Sequence, residues 1–183
     1  MSARSRKSTQ VALGGVATGL CLLLMFLTTM IPFAEYALPA FAGIVLIAVV
    51  VENGTKNAVV VYAAVSLLSL ILVPRPEVAC LFVFFFGYYP ILQFKLDEMK
   101  PKVFQYMIKF IIFNIAVVAA YLVVINLFGI TEIMDEFGDF GKYSALILLA
   151  LGNVFFAVYD FTVSNLRYVY IHVFRIKFLR KAG

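Results

Sequence analysis

Apolar residues in this chain come in long unbroken runs, separated by short breaks that carry polar residues, proline or glycine. A membrane helix needs about 20 such residues, or about 17 at the short end, so run length is the informative signal here. Six runs are predicted as spans: residues 11–31, 38–51, 58–73, 78–94, 103–128 and 144–166. The second is 14 residues long and is followed by Glu52-Asn53-Gly54-Thr55-Lys56-Asn57, which predicts a tight hairpin between spans two and three. Pro32 and Pro39 bracket the first outer loop, and Pro74 and Pro76 the second, at turn positions where a missing amide donor costs little. Pro90, in Gly87-Tyr88-Tyr89-Pro90, falls inside the fourth run, where a kink frees a backbone carbonyl that a neighbour must satisfy.

Composition agrees with the pattern. The chain is 64% apolar and 14% charged, with 19 Phe and 10 Tyr, and leaves too few polar residues to cover a water-facing surface. A mean hydropathy of +1.02 points the same way. The expected fold class is an all-α integral membrane protein with six transmembrane helices in one domain, residues 1–183, and a basic tail over 167–183.

Charge changes the picture by giving it a direction. With six spans, 13 of the 15 basic residues fall on one side, leaving Arg75 and Lys142 on the other. Lysine and arginine are retained in cytoplasmic loops, so both termini are expected inside, at the cell membrane. Glu35, Glu77, Glu132, Asp135, Glu136 and Asp139 then fall outside. The net charge of +5 is read as this topology and as attraction to membrane lipid, and nucleic acid is excluded as a partner. The first run is longer than the 7–15 apolar residues of a signal peptide and is read as a retained helix. Asn53-Gly54-Thr55 matches a glycosylation sequon by chance, in a cytoplasmic turn.

Chemistry is sparse. One histidine, His172, and two separated cysteines, Cys21 and Cys80, supply neither a metal cluster nor a nucleophile with its base, so no metal, cofactor or catalytic residue is expected. No G-x-x-x-x-G-K-[ST] sequence is present, so any nucleotide hydrolysis must come from a partner. Charges within a membrane are costly and call for partners. Asp160 lies about 24 Å down the sixth span and Lys109 about 9 Å into the fifth from its inner end, similar depths that predict a shared polar network. That pair reads either as a structural ion pair or as a proton or cation site. Asn114 and Asn153 lie near mid-membrane, where amides bond helices together. The competing reading has them lining a pocket with Glu35, Tyr36, Tyr121, Asn126 and Tyr143. The loop 129–143 reads as a lid with a short surface helix or as a plain connector. With no Trp, tyrosine must anchor the interfaces, while Phe82, Phe84, Phe85, Phe86, Tyr88 and Tyr89 crowd the fourth span. Helix one carries Ala12-Leu13-Gly14-Gly15-Val16-Ala17-Thr18-Gly19, in which Gly15/Gly19 and Gly14/Thr18 are rows of small residues four apart. Such rows let another helix approach closely.

Size, layout, the short span in the middle and the small-residue row on helix one together resemble the substrate-binding membrane subunit, or S component, of energy-coupling factor (ECF) vitamin transporters. In that family an Ala-x-x-x-Ala row on helix one docks a transmembrane coupling subunit driven by two ATPases; the matching positions here are Gly15 and Gly19, or Leu13 and Ala17, beside Ala12. The resemblance implies a non-enzymatic subunit that binds a small molecule such as a vitamin in its outer half, under the loop 33–37, with groups such as Asn126 below. The alternative is a membrane scaffold or assembly subunit on the same fold, bound to other membrane proteins and to no ligand.

Overall fold

The computed structural model describes residues 3–31, 34–128 and 144–173. Helix α1 spans Ala3–Leu27, α2 Ala37–Leu72, α3 Pro76–Leu81, α4 Tyr89–Leu96, α5 Lys102–Phe128 and α6 Ser144–Val169, with a π-helical segment, Phe82–Phe86, between α3 and α4. No strand occurs among the described residues. Five helices are long and apolar enough to cross a membrane: Ser8–Leu27, Ala37–Leu72, Pro76–Leu96, Lys102–Val124 and Leu146–Val173. The expected surface helix within 129–143, Tyr143, Phe33 and the tail from 174 lie outside the described residues.

Where two spans separated by a loop were expected, α2 runs on through residues 52–57 as one element of 36 residues with a single non-helical position, Gly54, at φ +83°, ψ 165°. A straight helix of that length would extend about 54 Å. The contacts show instead that the chain turns back there. Cys21 Sγ donates to the Ala42 carbonyl at 3.2 Å, and Gly14, two turns earlier on α1, meets Val61. Gly43 faces the Phe86 backbone, while Tyr62 meets the next residue, Gly87. Residues 42 and 61, about 28 Å apart on a straight helix, therefore lie within reach of the same short stretches. Asn53 Nδ2 fastens the elbow to the Gln10 carbonyl at 2.9 Å. Only glycine enters this φ/ψ region without strain.

Proline chemistry shapes the next connection. Val73 (φ −82°, ψ 121°) and Arg75 (φ −107°, ψ 97°) each precede a proline and are extended, as the proline ring demands, so α2 ends and α3 opens on Pro76 with Glu77 in its first turn. Pro90 has no N–H to give the Phe86 carbonyl one turn back. The sequence points to a kink; the structure has a π segment, closed by Gly87 N–H donating to the Phe82 carbonyl at 2.8 Å. The Phe86 carbonyl lies against Gly43, where a Cβ would stand 2.1 Å from the oxygen and 3.0 Å from the Tyr159 hydroxyl. The core on the far side is aromatic: Phe85 touches Phe86, Tyr89, Phe113, Phe156 and Tyr159, and Phe113 stacks on Phe156 at 4.7 Å and 11°. Such pairs contribute about 0.5–1.5 kcal/mol each beyond their burial.

Three glycines should therefore respond differently to alanine in a detergent melting experiment. Gly43→Ala collides with backbone and should lose several kcal/mol; Gly54→Ala, in open space but at positive φ, about 1–3 kcal/mol; Gly15→Ala, with nothing within 4 Å, no stability. A Gly43→Ala protein as stable as the parent would refute the contact between α2 and the π segment.

Candidate functional site

Polar side chains converge where the C-terminal end of α4, the N-terminal part of α5 and the C-terminal part of α6 meet. Each helix presents them one turn apart on a single face: Tyr89 and Gln93 leading to Asp97, Gln105 and Lys109, and Asp160 and Ser164 leading to Arg167. Lys109, 2% exposed, places its Nζ 2.8 Å from Asp160 Oδ1, 3.1 Å from Asp160 Oδ2 and 2.8 Å from Asp97 Oδ1. Arg167 pairs with the other Asp97 oxygen and lies over the Phe94 ring, 4.9 Å from its centroid. Tyr89 Oη and Gln93 Nε2 each donate to Asp160 Oδ1 at 2.5 Å. Gln93 Nε2 is also within reach of the Asp160 carbonyl and Ser164 Oγ, and Gln105 Nε2 donates to Asp97 Oδ1 at 2.6 Å.

Two cations thus face two carboxylates and the cluster carries no net charge. Charges out of water are tolerable only when paired and hydrogen-bonded, and Asp160 Oδ1 accepts from three donors. The arrangement clamps three helices at one level and offers no group poised as a nucleophile. The sequence reading singled out Lys109 and Asp160 but missed Asp97, Gln93, Tyr89, Gln105 and Arg167. Their repeat one turn apart was the available signal.

At the opposite end, Arg75 pairs with Glu35 and with Glu77, its Nε 2.9 Å from Glu77 Oε1. Burial lowers the guanidinium pKa, but the two carboxylates outweigh it and the net direction is upward. Asn114 and Asn153 bond each other reciprocally at 2.9 and 3.0 Å, and each gives its remaining N–H to the carbonyl four residues back, Phe110 and Leu149. Every amide donor of the pair is consumed between α5 and α6. Asn126 is exposed and bonds back to Leu122 at 2.7 Å, and Tyr36 is half exposed. None of Glu35, Tyr36, Asn114, Tyr121, Asn126 and Asn153 lines either of two open grooves, of about 240 and 420 Å³, that border Tyr62 and Tyr88. The amides of Asn114 and Asn153 bond each other and Glu35 pairs with Arg75, while the loop 129–143 and Tyr143, expected beside them, lie outside the described residues.

On α1 the two small-residue rows part company. Ala17, Cys21, Met25 and Thr28 are buried, and Gly14 packs on Val61. Thr18 Oγ1 donates back to the Gly14 carbonyl at 2.8 Å. Ala12, Gly15 and Gly19 face outward with Val16, Leu23 and Phe26, and a Cβ on either glycine would meet nothing within 4 Å.

Comparison with protein-family models, with curated proteins and with solved structures finds no match to this chain.

Lys109→Met leaves Asp160 and Asp97 facing the same vacated space and should cost about 3–5 kcal/mol of stability. Adding Asp160→Asn should recover part of that loss, since Asp97 keeps Arg167; the double-mutant cycle, read by thermal unfolding in detergent, should give a coupling of about 0.5–3 kcal/mol. Strict additivity would mean that the pair does not interact.

Proposed function

We propose that this chain is the substrate-binding membrane subunit of an ATP-driven uptake transporter of the ECF type, with no catalytic step of its own. The observation that carries the reading is the outward row of Ala12, Gly15 and Gly19 on α1. Small residues facing out of a bundle let the backbone of a second helix approach closely, where packing and Cα–H contacts replace the absent hydrophobic drive. On this reading the row docks a transmembrane coupling subunit, which two ATPases drive.

In the proposed topology the two arms of α2, 37–53 and 55–72, are separate spans joined at Gly54, which makes six with both termini on the cytoplasmic side of the cell membrane. The support is the turn-back at Gly54 together with the charge distribution, since five spans would put the basic ends of the chain on opposite sides. A vitamin-sized molecule would then enter from the outer end, where Arg75 holds the Glu35 loop.

The self-satisfied Asn114–Asn153 pair and the filled aromatic centre favour a second reading, a scaffold subunit that binds other membrane proteins and no ligand. Native mass spectrometry of the protein gently extracted from its own membranes separates the two. A retained metabolite with a coupling subunit and two ATPases is expected; envelope proteins without a metabolite would establish the scaffold. Under either reading, Gly15→Leu with Gly19→Leu should abolish partner co-purification while leaving the melting temperature unchanged, because both side chains grow into open space. Unchanged co-purification would remove α1 as the docking face.

A further inference from the structure

A second surface has nothing to do with docking through α1. Two open grooves adjoin at Tyr62 and Tyr88, whose rings meet edge-on at 6.2 Å, and together they trace a channel between the second arm of α2, the π segment with α4, and α5. Its floor is fixed. Tyr62 donates to the Val83 carbonyl at 2.6 Å, and Gly87 leaves the room the Tyr62 ring occupies, since a Cβ there would stand 2.6 Å from it. The channel begins at Thr55 and Lys95, at the polar end of the bundle, and continues to Val83 and Ala119. Apart from Thr55, Lys95 and the two tyrosine hydroxyls its lining is apolar.

We propose that this channel is a binding site for a phospholipid with an anionic headgroup, its phosphate on Lys95 and one acyl chain laid past Tyr88 and Tyr62 toward Ala119. Charge and length both single out this occupant. Lys95 is exposed, and no carboxylate among the described residues pairs with it. Lys56, next to Thr55, adds a second exposed cation at the same end. This end therefore attracts a negative headgroup, in contrast to the neutral cluster of Lys109 and Arg167 behind it. From Lys95 back to Val83 is twelve residues, about 18 Å of helix, which matches one leaflet of a hydrocarbon core about 30 Å thick. A zwitterionic lipid would gain the apolar contact but not the net attraction, and a free phosphate would gain only the lysine.

The test is native mass spectrometry of the full chain in non-ionic detergent with equimolar phosphatidylglycerol and phosphatidylcholine of identical acyl chains. Phosphatidylglycerol should be retained in preference. Lys95→Gln should weaken its binding about fivefold, the worth of one lysine at an anionic surface, whereas Lys102→Gln, outside the channel, should change nothing. Ala119→Phe, filling the far end, should reduce retention without lowering the melting temperature, and glycerol phosphate in excess should not compete. Equal retention of the two lipids, or retention indifferent to both Lys95→Gln and Ala119→Phe, overturns the proposal. Displacement by glycerol phosphate alone overturns it as well, in favour of a plain anion site.

Discussion

Taking the Lys109 ammonium out of water carries a large cost that its neighbours must offset, and that end of the bundle is arranged around it. At 2% exposure its ammonium is held by Asp160 and Asp97, and each of those carboxylates is held in turn by other donors. Bilayer interiors offer no water to cover an error, so each member of the cluster must come from a helix already at the right depth. That requirement fixes the relative heights of α4, α5 and α6. It also fixes their rotation, because Tyr89, Gln93 and Asp97 must share one face of α4 just as Asp160, Ser164 and Arg167 share one face of α6. The aromatic centre then fills the next layers. Phe85, Phe113 and Phe156 lie a turn or more from Tyr89, Lys109 and Asp160, so the ring contacts and the charge cluster impose the same register.

Backbone economy governs the other half. Pro90 withholds a hydrogen bond, the π segment redistributes the carbonyls, and Gly43 lets α2 come close enough to cover the Phe86 oxygen. Gly87 gives the same service to Tyr62 from the opposite helix. The space a Cβ would have taken is filled by the Phe86 backbone carbonyl at Gly43 and by the Tyr62 ring at Gly87. In a membrane, where lipid tails compete with side chains for apolar contact, close approach of this kind is a main source of association between helices.

Apolar run length carried the later helices best, since the runs 78–94, 103–128 and 144–166 are centred close to the spans Pro76–Leu96, Lys102–Phe128 and Ser144–Val169. What it could not carry were the local devices. The polar tract 52–57 reads as a loop because Asn, Gly and Thr are poor helix formers and Glu and Lys break the apolar run, yet it remains helical on both sides of Gly54, since one glycine suffices to reverse the chain. The fourth run shows Pro90 plainly, but not that the Phe86 carbonyl it leaves free lies against Gly43, far away in sequence. Depth along two runs was enough to bring Lys109 and Asp160 to one level. Asp97 was hidden because it sits in a charged connection beside Lys95, Glu98 and Lys100, where a carboxylate reads as solvated. Pocket residues were hardest to read, because an intramembrane asparagine looks the same whether it faces a ligand or another asparagine.

The helices fall into two groups, α1 with α2 and the rest, which α2 joins through its contacts with α3, the π segment, α4 and α6. Helix α1 packs chiefly on α2, while the remaining helices are locked to one another by the charge cluster and the stacked rings. The seam between the groups runs along the π segment, where Gly43 and Tyr62 of α2 meet Phe86, Gly87 and Val83. Among the described residues no ion pair of the Lys109 cluster crosses that seam, and the pair that does, at the opposite end, is Arg75 with Glu35. A helix seated on Ala12, Gly15 and Gly19 would therefore meet α1 first, and the other helices only by way of α2 and the Arg75–Glu35 pair. The groove past Tyr62 and Tyr88 opens along that same seam, so a lipid lying in it would touch both groups at once.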